Sequence, residues 1–260
     1  MVQGDSDLVK RGGGTGGSRS LLMGGVAINR ASDKVIERVR QIAGHLFEAA
    51  LEDIEFKEGA AAVVGTDRRL TLAEAARAVE EGKVPEDLAG PLRETGDYAA
   101  EAMTFPNGAH VCEVEVDGET GVVRVVRYVI ADDFGTVMNP LLVAGQVHGG
   151  TAQGLGQALL EHTVYDPDGQ LLTGSLMDYC LPRADDMPEI ELTLVEDMPC
   201  TTNPLGSKGA GEAGAIGAPP AIMNAILDAL APLGVRQLDM PATPEKVWRA
   251  IQDAQKKDAA

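Results

Sequence analysis

The spacing of apolar residues changes period several times along this chain, dividing it into helical and extended stretches. From Leu21 to about Phe56 the apolar positions follow helical spacing, with Val35, Val39, Ile42, Leu46 and the Ala49-Ala50 pair on one stripe. A long helix is predicted there. Thr71, with Glu74 three positions on, has the form of a capping box and predicts a short helix over about Leu72 to Glu81. Residues 82–107 are polar, contain proline and read as a connection. At Ala109 the period falls to two. Val111, Glu113 and Glu115 alternate with Cys112, Val114 and Val116, Asp117-Gly118 turns the chain, and the Val- and Ile-rich run from Val122 to Ala131 predicts the second strand of a hairpin.

Helical spacing resumes from about Leu141 to Leu160, carrying Gly145, Gly149, Gly150, Gly154 and Gly156. Such a glycine density is unfavourable in an isolated helix, so another element must pack close to that backbone. Asp166-Pro167-Asp168-Gly169 reads as a turn and Glu189 to Glu196 as an alternating strand. Ala218 to Leu230 reads as a helix with Pro219 and Pro220 in its first turn, and about Pro244 to Gln255 as the last helix, before a charged tail. Helices and strands mix without a regular βαβ period, which predicts an α+β fold. Two regions are expected: residues 1–107, with a glycine-rich loop and the long helix, and residues 108–260, with the hairpin and the glycine-rich helices.

Composition narrows the functions open to this chain. Of its 260 residues 44% are hydrophobic, enough for a substantial core, while only 3% are aromatic and 31 are glycine. The net charge of −18 offers no attraction to phosphodiester backbones or anionic lipid, so no nucleic-acid partner is expected. Arg19 and Lys208, both in glycine-rich surroundings, are local candidates for holding a phosphate. Cys112, Cys180 and Cys200 form no CxxC pair, which argues against a disulfide framework, a zinc site or an iron–sulfur cluster. Three buried thiols in a cytoplasmic protein are expected. The sequence carries no signal-peptide pattern and no run of about 18 apolar residues, so no membrane span is expected. His45, His110, His148 and His162 form no His-x-x-x-His pair and read as core or surface histidines. No nucleophile elbow points to a hydrolase.

Two glycine-rich segments carry the candidate chemistry. Gly12 to Ser20, with two serines, a threonine and Arg19, stands at the head of the long helix, where backbone N–H groups, hydroxyls and a guanidinium together suit a pyrophosphate. The same composition also suits a flexible linker. Lys208-Gly209-Ala210-Gly211-Glu212-Ala213-Gly214 sets one carboxylate in a glycine-rich turn before an apolar helix. That arrangement presents a base to a ligand lying close to the backbone, or simply an acidic residue at a helix N-terminus.

Six segments, taken in order, resemble the molybdenum hydroxylases, the group of xanthine oxidase, aldehyde oxidase and aerobic carbon monoxide dehydrogenase. They are Gln3-Gly4-Asp5-Ser6-Asp7, the Gly14 to Ser20 loop, Asp133-Phe134-Gly135-Thr136-Val137-Met138-Asn139-Pro140, the Gln146 to Gln157 helix, Met177-Asp178-Tyr179-Cys180-Leu181-Pro182, and the Glu212 loop. The resemblance implies Glu212 as the catalytic base. It implies contacts to molybdopterin cytosine dinucleotide from Gln3, Gly4, Asp5, Gly17, Ser18, Arg19 and Ser20, to the pterin region from Gln146 and Asp178, and beside the base from Lys208, Gly209 and Gly211. The metal is expected on the pterin's dithiolene sulfurs, with no protein ligand. The implied reaction oxidises an aldehyde, an N-heterocycle or carbon monoxide with water as oxygen source. FAD and 2Fe–2S groups are expected on partner chains, an FAD-binding subunit and an iron–sulfur subunit. Large subunits of the family are roughly three times this length by domain arithmetic, so the resemblance is to their C-terminal part, with the remaining half of the molybdenum subunit as a further partner. The alternative is a remnant or assembly protein that binds the pterin cofactor without turnover.

Overall fold

A computed structural model describes residues 4–9 and 12–258, with side chains to residue 256. The described residues fold as two compact units: those up to 14 with 20–101, and 15–19 with 102–258. Gln3 lies outside the described residues.

In the first unit a π-helical turn, Leu21–Gly25, leads into α1, Val26–Phe47, which buries Val26, Val39, Ile42 and Ala43. α1 ends where Glu48 turns left-handed at φ 50°, its N–H donating to the carbonyls of Gly44 and His45. The long helix therefore stops nine residues short of the expected Phe56, and the remainder is strand. β1 (Ile54–Lys57), β2 (Ala60–Val63) and β3 (Arg69–Thr71) form an antiparallel meander. Glu58 and Gly59, at φ 50° and 75°, make the tight β1–β2 turn. Ile54 extends the apolar stripe of α1 in sequence, yet it reaches the same core from a strand, 2% exposed.

α2, Leu72–Glu80, carries the expected capping box: Thr71 Oγ1 accepts the Glu74 N–H at 3.2 Å while Glu74 Oε2 accepts the Thr71 N–H at 2.9 Å. The connection after α2 is irregular but fixed by α1. Arg30, Lys34 and Arg38, one helical turn apart, donate to the carbonyls of Asp97, Thr95 and the run Leu88, Ala89, Gly90 and Pro91. Gly96 lies so close to α1 that a Cβ there would meet the Ala27 carbonyl at 2.0 Å.

In the second unit β4 (Asn107–Val116) and β5 (Val123–Asp133) are antiparallel, with a bulge at Glu113/Val114, and β6 (Ile190–Val195) pairs in parallel with Tyr128–Asp133 of β5. α3 (Pro140–Leu159), α4 (Ala213–Leu230) and α5 (Pro244–Asp258) complete it. The core gathers Tyr128, Ile130, Phe134, Leu155, Ile222, Ile226, Leu230, Val247 and Ile251. Both units together give the α+β architecture.

α3 and α4 meet on glycine. A Cβ on Gly150 would lie 2.9 Å from the Ala215 nitrogen, one on Gly154 2.7 Å from Ala218 Cβ, and one on Gly214 2.4 Å from the Val147 carbonyl oxygen. The close packing expected from glycine density holds at these positions, whereas Gly145 and Gly149 face open space. α4 starts at Ala213, five residues earlier than expected, so Pro219 and Pro220 lie inside it. Two proline residues remove two helical hydrogen bonds, and contact with α3, where Pro219 Cδ would lie 2.8 Å from a Cβ on Gly154, keeps the helix continuous. The segment Ala213–Leu233 is long and apolar enough to cross a membrane by length and composition. Within it Ala218, Ile222, Ile226 and Leu230 are fully buried in the core, whereas Ile216 is 71% exposed. The cysteines differ from expectation: Cys180 is exposed and Cys112 and Cys200 are half-buried.

Candidate functional site

The site is built where β5 ends. Asp133 leaves the strand with Oδ1 accepting the Gly135 N–H and Oδ2 accepting Lys208 Nζ, each at 2.7 Å, the acid and lysine side chains being 16% and 10% exposed. Burial pushes the Asp133 carboxyl up, but the Lys208 hydrogen bond, the Gly135 N–H and the Lys208 charge outweigh it and hold the group below the usual carboxylate range. The Lys208 N–H also donates to the Phe134 carbonyl at 2.7 Å, and Ser207 Oγ to the Thr136 carbonyl at 2.7 Å. Residues 206–209 are thus stitched to the end of the sheet, and Gly209 N–H adds a bond to Thr104 Oγ1 at 3.2 Å.

This stitching presents Glu212. Its backbone carbonyl accepts the Ile216 N–H at 3.0 Å, so the residue stands at the N-cap of α4, yet its side chain makes no capping bond. Glu212 Oε2 instead accepts Ser18 Oγ–H at 2.6 Å across 194 residues of sequence. Gly17 and Ser18 are both left-handed, at φ 65° and 54°, which lets the loop lie flat against the Glu212 turn. A Cβ on Gly209 would lie 2.9 Å from Ser18 Cβ, and one on Gly211 3.2 Å from Ser18 Oγ and 3.6 Å from Gln146 Oε1. Gly17, Ser18, Gln146, Gly209, Gly211 and Glu212 therefore converge on one place, with an exposed carboxylate at its centre.

The other expected residues make contacts of their own. Lys208 is turned into its ion pair with Asp133. Asp178 is exposed and accepts Ser175 Oγ–H at 2.8 Å. Gly4 and Asp5 form a turn in the first unit, Asp5 Oδ1 accepting the N–H groups of Asp7 at 2.9 Å and Leu8 at 3.2 Å. Arg19 follows Ser18 in the loop and Ser20 begins the helical turn, both exposed. In the sequence Asp133 stands only as one member of a motif, and a lysine 75 residues on gives no local signal of the partner its carboxylate takes.

The donor set suits a pterin bearing phosphates. It offers hydroxyls, a carboxamide and glycine backbone, and additions at Gly14, Gly16 and Gly17 would meet nothing within 4 Å, so that face of the loop is open to a bound group. Among the described residues no three His, Cys, Asp or Glu side chains group as a metal site.

A family model described as a molybdopterin cofactor-binding domain matches residues 1–188. The chain belongs to the molybdenum hydroxylase family. Subunit gamma of a 6-hydroxypseudooxynicotine dehydrogenase complex from Paenarthrobacter nicotinovorans is 38% identical over 257 residues, covering 98% of this chain and 32% of the relative. Quinoline 2-oxidoreductase from Pseudomonas putida 86 superposes with a TM-score of 0.83 at 40% identity, covering 93% of this chain and 31% of that one. Carbon monoxide dehydrogenase from Oligotropha carboxidovorans gives 0.85 at 32% identity, covering 97% and 31%. The chain spans about a third of the length of the curated relatives it matches. As in the molybdenum hydroxylases of known structure, the fold is a mixture of helices and small sheets.

Proposed function

We propose that this chain supplies the base-bearing part of a molybdenum hydroxylase site, in an oxidoreductase that oxidises an aldehyde, an N-heterocycle or carbon monoxide with water as oxygen source. The observation that carries the reading is the Glu212 carboxylate, held by Ser18 at 2.6 Å and freed from capping its own helix. When bound, the molybdenum pterin supplies the two-electron acceptor. Ser18 orients the carboxylate of Glu212, and Glu212 takes the proton released when the water-derived nucleophile is formed. General-base help of this kind is worth about 10²–10⁴-fold.

The cofactor form we propose is the cytosine dinucleotide. Its pyrophosphate and nucleotide would lie against Gln3, Gly4, Asp5, Gly17, Ser18, Arg19 and Ser20, and its pterin near Gln146, Asp178, Gly209 and Gly211. Lys208 would act through its bond to Asp133, which anchors the loop carrying Glu212. Partner chains carrying FAD and 2Fe–2S groups, together with the rest of the molybdenum subunit, complete the enzyme in this reading; relatives named as a complex subunit and a large subunit support an assembly of several chains. A cytoplasmic location fits three cysteines that form no disulfide.

The test is Glu212→Gln in the complex purified with its partner chains, assayed with quinoline, benzaldehyde and carbon monoxide against a dye acceptor. Turnover of the wild-type substrate should fall by about 10²–10⁴-fold, with molybdenum and cytosine nucleotide retained. Turnover at the wild-type rate would sink the assignment.

A further inference from the structure

Beneath α4, outside the residues used above, three polar side chains are buried together on one face of the hairpin. His110 on β4 pairs with Ile130 on β5, so Tyr128 and Asp132, two residues either side of Ile130, are its diagonal neighbours. His110 Nδ1 lies 2.9 Å from Tyr128 Oη, the two rings meeting edge-on at 88°, and His110 Nε2 lies 3.5 Å from Asp132 Oδ1. Tyr128 is 0% exposed, and the side chains of His110 and Asp132 are 7% and 3% exposed. Both imidazole nitrogens thus face a polar partner, Nδ1 the tyrosine hydroxyl and Nε2 the carboxylate.

Glycine frames this array at both ends. A Cβ on Gly108 would lie 1.8 Å from Asp132 Oδ1, and a Cβ on Gly217 of α4 would lie 2.6–2.7 Å from three atoms of the His110 ring. The imidazole therefore rests directly on the α4 backbone, five residues beyond Glu212. Asp132 Oδ2 is buried with no hydrogen-bond partner among the described residues, a cost to folding that three apolar side chains would not carry.

Asp132 and Asp133 are consecutive in β5 and so point to opposite faces. Asp133 holds Lys208, four residues before Glu212, while Asp132 backs the imidazole that seats Gly217, five residues after it. Both ends of the segment carrying the carboxylate are thus referred to one strand end. We infer that His110, backed by Asp132 and Tyr128, is a positioning residue that fixes the start of α4 and with it the direction of the Glu212 side chain. The inference rests on Glu212 being the base.

The experiment compares His110→Phe, which keeps a ring and removes both nitrogens, with Tyr128→Phe, which removes only the hydroxyl. Hydrogen exchange followed by mass spectrometry on the purified protein reads the brace without any substrate. Amides of residues 209–217 should exchange about tenfold faster in His110→Phe, with a smaller change of the same sign in Tyr128→Phe, while β5, α5 and residues 54–71 keep their protection. In the complex, kcat should fall about tenfold with KM and molybdenum content unchanged. Exchange at 209–217 that stays as in wild type, or that rises equally across β5 and α5, would overturn the inference, the second result marking His110 as ordinary core. Should Glu212→Gln leave turnover intact, the base assignment fails, while the exchange data still judge the brace.

Discussion

Replacing Lys208 by methionine tests the anchoring of the candidate site. The substitution keeps most of the length of the side chain and removes the ammonium, leaving the Asp133 carboxylate with the Gly135 N–H. A hydrogen bond to a charged group contributes about 1.5–3 kcal/mol, and orphaning one member of a fully buried ion pair costs about 3–5 kcal/mol. The pair here keeps some contact with water, 10% and 16% exposed, so the expected loss is about 2–3 kcal/mol. For a unit of this size that corresponds to a Tm about 5–10 °C lower. Trp248 is the single tryptophan and lies in α5, so its fluorescence reports the second unit alone.

The double variant Lys208→Met with Asp133→Asn should lose less than the sum of the single changes, because the two side chains share one interaction. Acid supplies a second arm. The folded Asp133 carboxyl lies below the usual range, so its contribution is complete above the unfolded value of about 3.9 and is lost as pH falls through the lower folded value. The gap between wild type and Lys208→Met should therefore be constant from neutral pH to about 5 and close below about 4. A gap under about 0.5 kcal/mol at neutral pH, or one that persists unchanged in acid, would refute the reasoning.

Thr71→Ala removes one half of a reciprocal cap and should cost the first unit about 1 kcal/mol, seen as an earlier loss of far-ultraviolet ellipticity in urea with the Trp248 transition unmoved. Gly150→Ala should cost about 1–3 kcal/mol in the Trp248 melt, because the new Cβ would meet the backbone of α4 at 2.9 Å. Gly149→Ala, one position away but facing open space, should instead be neutral or stabilising by up to about 1 kcal/mol. Equal effects at the two glycines would refute the account of how α3 meets α4.

The elements read correctly from sequence are those whose signal is local. The capping box at Thr71, the hairpin alternation and the helix expected from about Leu141 to Leu160, observed as Pro140–Leu159, need no knowledge of distant residues. The misreadings arose where tertiary packing overrides the local pattern. Ile54 and Phe56 continue a helical stripe because they serve the same core as α1, and only the left-handed turn at Glu48 separates the helix from the strand. The Pro219-Pro220 pair marks a helix start by local rules, yet glycine contacts with α3 carry α4 five residues further toward its N-terminus.

The candidate site divides along the same line. Its glycine loops and its carboxylate were visible because a ligand approaching backbone demands them within a few residues. What makes them a site was not visible: Ser18 reaches Glu212 across 194 positions, and Asp133 reaches Lys208 across 75. His110 illustrates the difference most sharply. Judged by its neighbours in sequence it is an ordinary core histidine, and burial alone agrees. Only the register of β4 on β5 brings Tyr128 and Asp132 to its two nitrogens, and only the missing side chain of Gly217 lets its ring touch the candidate base's helix. A residue that acts by setting the position of another leaves its signature in packing, at the glycine opposite it, rather than in any motif of its own.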